Sequence, residues 1–115
     1  MKKTRRSVCP VACTLDLIGD KWTLLVVRDL ACGKRHFNDI CRSPEKIATN
    51  ILADRLERLV AHNLVEKYES ADPTARECYR LTVRGRSLGP VLAAVAEWGL
   101  ANLPGTTAVM KPTFD

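Results

Sequence analysis

The stretch Arg5-Arg6-Ser7-Val8-Cys9-Pro10-Val11-Ala12-Cys13 places two thiols four residues apart behind a basic segment. Four chemistries compete for them: a metal site, a nucleophile, a redox switch, or simple packing. Zinc needs four ligands with a second cysteine or histidine pair, and neither His36 nor His62 forms such a pair with the thiols, so no metal site is expected. A catalytic cysteine needs a base and an orienting group. No such constellation is present, which argues against an enzyme, and nothing calls for a cofactor.

A thiol sensor fits better. Cys9 stands at a helix start beside Lys2, Lys3, Arg5 and Arg6, and both the positive helix end and the cations favour thiolate, the reactive form. The packing alternative, a small residue at an interface, stands beside it. Cys13 shares a helix face with Cys9, although an intrahelical disulfide at that spacing is strained, and it reads as facing an interface or the core. Cys32, Cys41 and Cys78 fall at apolar or strand positions and read as filler, with a role as resolving partner across a dimer left open.

The elements that must position these residues follow from composition and period. At 115 residues the chain has room for one small domain, and dimerisation is a ready source of extra burial. The expected division is a basic tail at 1–7, a domain at 8–103 and a tail at 104–115. Eighteen Lys and Arg against thirteen Asp and Glu give a net charge of +5, a bias toward polyanions that solubility alone also explains. The odd count of five cysteines and the absence of an apolar signal region point to a reducing, cytoplasmic setting. Apolar runs such as TLLVV and VLAAVA fall far short of the roughly 20 residues that span a bilayer, so no membrane partner is expected.

Pro10 suits a first helical position and opens a helix to about Ile18. Gly19 breaks it, Asp20 can cap a second helix, and Trp22, Leu25, Val26 and Leu30 repeat at helical spacing up to a stop at Gly33. Phe37, Ile40 and Cys41 mark one short helix before a turn at Ser43-Pro44-Glu45. From Ala48 to His62, Leu52, Leu56, Leu59 and Val60 form one face while Asn50, Asp54 and Arg58 line the other. After Asn63, LVEKYES and ECYRLT alternate as strands around the turn segment ADPTAR. Thr82 can cap a last helix from about Val83, with Leu88, Val91, Leu92, Val95 and Trp98 in phase up to Pro104.

Short helix, turn, polar-faced helix and hairpin in that order predict an α+β, mainly α fold: a winged helix-turn-helix with flanking N- and C-terminal helices that form a dimer interface. The expected partner is double-stranded DNA. Its major groove admits one α-helix, and Arg55 and Arg58 are the foremost candidates for guanine edges or phosphates, with Thr49 and Asn50 at the entering end. Arg76 in the hairpin loop and Lys34 and Arg35 before the short helix supply phosphate contacts. In the last helix Leu92, Val95 and Trp98 offer apolar area to a second copy, or alternatively close the monomer's own core.

Cys9-Pro10, LDLIGDKWTLLVVRDL, RHFNDI, ILADRLERLVAHNLVEK, YRLTVRG and AEWG, in this order over residues 8 to 100, resemble the HxlR family of winged helix-turn-helix regulators, related to the MarR superfamily. The resemblance implies a homodimer on a pseudo-palindromic operator, with the first and last helices at the interface. It also implies a cysteine near the first helix, matched by Cys9, that in some members senses oxidants, quinones or other electrophiles. Ala48 departs from the pattern, since a Ser or Thr commonly caps the recognition helix there. Thr49 is the substitute cap the sequence offers, which would shift the reading register by about one position. The alternative function is a winged-helix module that binds a protein rather than DNA, its thiols purely structural.

Overall fold

The computed structural model describes residues 5–73 and 77–114. The elements are α1 (Pro10–Ile18), α2 (Thr23–Ala31), α3 (Phe37–Cys41), α4 (Thr49–Ala61), β1 (Val65–Glu69), β2 (Glu77–Leu81), α5 (Val83–Arg86) and α6 (Gly89–Asn102). β1 and β2 pair antiparallel with Val65 opposite Leu81 and Glu69 opposite Glu77, the hairpin expected. The core joins Val26, Val27 and Leu30 of α2, Ile40 of α3, Leu52, Leu56 and Leu59 of α4, and Val65, Tyr79 and Leu81 of the sheet. This is the winged helix-turn-helix arrangement, mainly helical with a two-stranded sheet.

Local chemistry sets most boundaries. The Asp20 carboxylate accepts the Trp22 and Thr23 backbone N–H groups at 3.0 and 3.1 Å, so it satisfies the first free donors of α2. Gly33, at φ 97°, ends that segment in the left-handed region open to glycine, and Asn63 does the same after α4 at φ 59°. The N-cap of α4 is Ala48, without a side-chain cap. Thr49 therefore does not replace the missing cap; it is the first helical residue, and the register of α4 is counted from there.

The last helix differs from the single segment expected from Val83. Thr82 Oγ1 accepts the Gly85 N–H at 2.9 Å and starts α5, which stops at Arg86; α6 begins afresh at Gly89. Pro90 has no N–H to continue the ladder, and its ring crowds the residue before it. A Cβ on Gly89 would lie 2.9 Å from the Phe114 ring, so the break is also where the chain end packs in. The segment after Pro104 returns to the domain: the Thr113 N–H donates to the Ala31 carbonyl at 3.0 Å.

Candidate nucleic-acid interface

The helix-turn-helix is locked from behind by a polar network. Asp29, almost wholly buried, accepts the Ser43 hydroxyl and the Arg28 guanidinium at 2.9 Å, while Arg28 also grips Glu45 at 2.7 and 3.0 Å. A buried carboxylate is stable only with such partners. The bond to Glu45, joined by Asp29 and working against burial, holds the Arg28 guanidinium well above its ordinary pKa. Lys34 joins the network, its Nζ 2.6 Å from Ser43 Oγ. In the free chain this cation is bound to the turn between α3 and α4. Arg35 beside it is exposed, and its carbonyl accepts the Tyr79 N–H at 2.9 Å, tying β2 to the approach of α3.

Arg55 is also engaged within the chain. Its Nε lies 2.8 Å from Asp20 and its Nη1 pairs with Asp54, and the side chain is only 21% exposed. Five positions after Asn50 on a 3.6-residue helix, it sits on the flank turned toward α2 rather than on the outer face. Burial pushes the Asp20 carboxyl up, but bonds from Thr23, Arg55 and the Trp22 amide outweigh it and hold the group well below the carboxylate range. Arg55 thereby ties α4 to the cap of α2. Arg58 is half-buried and turns toward α1, its Nη2 3.5 Å from the Asp16 carbonyl.

Thr49 and Asn50 are exposed at the entering end of α4, followed on the outer face by Ala53, Asp54 and Glu57. Arg76 lies outside the described residues. Two exposed cations that the sequence reading passed over flank this end in the chain: Arg42, just after α3, and Lys46, three residues before α4 begins. Among the described residues Arg42 makes only a long 3.7 Å pair with Asp39, its side chain 78% exposed. The signal available was position alone, two cations in the turn of a helix-turn-helix.

Family-model comparison matches residues 17–107 to the HxlR-like helix-turn-helix. The chain belongs to the HxlR family. Among its relatives, the HTH-type transcriptional regulator YybR of Bacillus subtilis is 36% identical over 96 residues, 82% of this chain and 75% of that protein. The redox regulator HypR in its oxidized form superposes with a TM-score of 0.74 at 34% identity, covering 82% of this chain and 97% of that one. Diamide-treated YodB from B. subtilis superposes with a TM-score of 0.66 at 26% identity, covering 84% and 97%. HxlR members of this kind are transcriptional regulators, not enzymes.

The thiols and the outer helices complete this HxlR chain. Cys9 is exposed at the N-cap of α1, and its N–H donates to Ser7 Oγ at 3.0 Å. Cys13 is half-buried and its thiol donates to the Ser7 carbonyl at 3.2 Å, so one serine touches both residues. Arg6 pairs with Asp16 at 2.7 Å. Cys78 is buried in β2 with His36 Nδ1 3.5 Å from its sulfur, linking the sheet to the start of α3. In α6, Leu92 is half-buried while Val95 and Trp98 are exposed, and Val8, Val11 and Leu15 are exposed on and beside α1. Among the described residues no helix is long and apolar enough to cross a membrane.

Proposed function

We propose that this HxlR regulator acts as a homodimer in the cytoplasm, on double-stranded DNA with a pseudo-palindromic operator, and that Cys9 senses oxidants or electrophiles. The observation that carries the DNA reading is the entering end of α4. Thr49 and Asn50 stand exposed there on a helix braced from behind through Arg55 and Asp20. A side chain can read a base edge only if packing leaves it free, and asparagine pairs well with adenine in the major groove. Asp54 and Glu57 further along the outer face repel phosphates, so backbone contacts fall to cations outside the helix, Arg35, Arg42, Lys46 and Arg76. Arg58 contributes at the flank if it releases Asp16.

The dimer reading rests on the unpartnered apolar residues of α1 and α6, with Leu92, Val95 and Trp98 at the contact. Exposed apolar side chains of this kind mark a candidate interface. A two-fold pair would present two α4 helices to half-sites about one DNA turn apart. The exposure of Cys9 supports the sensor reading, as do HypR, a redox regulator, and YodB, which has been treated with diamide. Cys13, on the same helix four residues on, is the second thiol of that site. Modification at α1 would change the spacing of the paired α4 helices and hence operator affinity.

A gel shift on the chain's own upstream region tests both claims, run reduced and after diamide or a quinone, with wild type and Cys9→Ser. The expected result is salt-sensitive binding that oxidant alters in wild type alone. Absence of any shift overturns the DNA reading, and identical oxidant responses in both proteins overturn the sensor reading.

A further inference from the structure

Asp16 of α1 stands between two arginines. Its carboxylate pairs with Arg6 Nε at 2.7 Å, and its carbonyl meets Nη2 of Arg58, on α4, at 3.5 Å. Among the described residues Arg58 has no ion pair. We propose that Arg6 is a positioning residue for DNA binding: it occupies the Asp16 carboxylate and so leaves Arg58 available to a backbone phosphate, and Cys13 holds Arg6 in place through Ser7. This role rests on the DNA reading above, in which Arg58 acts from the flank of α4. It does not need Cys9 to be a sensor.

Asp16 is the natural competitor for Arg58. It lies in the last turn of α1, where carbonyls lack an intrahelical partner and the negative helix end attracts cations. Arg58 is drawn there by a neutral oxygen at a long distance, a weak hold. The carboxylate of the same residue would bind a guanidinium roughly twice as strongly, and a bidentate pair is open to it. With Arg6 gone, that anion is free to take Arg58. A guanidinium paired in this way gives up its charge to the carboxylate and no longer displaces counterions from a phosphate.

What keeps Arg6 in place is the way its segment folds back along α1. Ser7 accepts on both its oxygens: Oγ takes the Cys9 N–H at 3.0 Å, and the carbonyl takes the Cys13 thiol at 3.2 Å. Arg6 Nη2 adds a long bond to the Ala12 carbonyl at 3.5 Å. The Arg6 and Asp16 side chains are 63% and 47% exposed, and an exposed pair is weak by itself, so its occupancy depends on the anchoring of Ser7 next to it. The half-buried Cys13 thiol, one turn before Asp16, supplies the side-chain donor of that anchor.

The test is fluorescence anisotropy of the full chain on a labelled duplex from its own upstream region and on an unrelated duplex, between about 50 and 200 mM salt. Arg6→Ala is expected to weaken both about fivefold and to lower the slope of log affinity against log salt by about 1–2, as Arg58→Ala does. Combined with Arg58→Ala, it should add nothing. Asp16→Asn keeps the size of the side chain and removes its charge, so it should restore Arg6→Ala to wild-type affinity. Continued weakness there would mean that Arg6 touches DNA itself and would overturn the inference. Cys13→Val is expected to weaken binding like Arg6→Ala, whereas Cys13→Ser, which keeps a donor for the Ser7 carbonyl, is not; equal affinity of the two would overturn the part given to Cys13. Wild type that binds neither duplex overturns the DNA reading and this role with it. Wild type that binds, with Arg6→Ala binding equally tightly, overturns the role of Arg6 alone.

Discussion

Leu52, Leu56 and Leu59 of α4 are at most 2% exposed, whereas Val91, Val95, Trp98 and Leu100 of α6 are 36–63% exposed, although both helices are rich in apolar residues at helical spacing. α4 has α2, α3 and the sheet to cover its stripe. α6 contributes only Gly89 to the buried set. The cations differ in parallel: α4 carries Arg55 tied to Asp20 and Arg58 turned to α1, and α6 carries none. Helical period identifies a face that must be buried, while what buries it depends on the remainder of the fold or on a second chain.

The largest expected effect breaks this contrast at α6. Val95→Asp with Trp98→Asp places two charges on a face that we assign to the partner. Sedimentation velocity should show a monomer with unchanged far-UV circular dichroism, and operator affinity should fall by about 100-fold or more as the two half-sites uncouple. Unfolding of the variant would instead make α6 part of the monomer's own core.

A smaller effect is expected at the brace behind α4. Asp20→Asn removes the charge that holds Arg55 and should lower stability by about 2 kcal/mol at neutral pH, measured by urea unfolding. Since the folded-state carboxyl lies below its ordinary value of 3.8, its contribution is present above about pH 4 and is lost as pH falls further. The variant's stability profile should therefore approach wild type in acid. A constant difference down to pH 2 would refute the assignment.

The smallest effect sharpens the division of labour around α4. Arg42→Ala with Lys46→Ala should weaken operator and unrelated DNA alike, and reduce the slope of log affinity against log salt by about 1–2. Selective loss on the operator would instead make these cations base readers.

Legibility in the sequence followed the range of the interaction. The Asp20 cap and the Gly33 and Asn63 stops depend on residues within a few positions of one another, and they were readable, as was the hairpin from its alternating strands and turn residues. The destinations of Lys34 and Arg55 were not, because Ser43 and Asp20 lie 9 and 35 residues away in the chain and only packing brings them close. The break between α5 and α6 was announced by Pro90, but an apolar repeat continuing through it masked the signal.

Family, element order as far as the hairpin and apolar faces were set by the sequence, since periodicity, caps and turns are properties of neighbouring residues. Tertiary structure alone decided which charges remain free. An arginine on a helix has several rotamers and no fixed partner until another element arrives, so the same residue type became a brace at Arg55 and an exposed cation at Arg42. It also decided that the chain's end returns to α2 and Gly89, where long-range hydrogen bonding and ring packing have no local pattern to announce them.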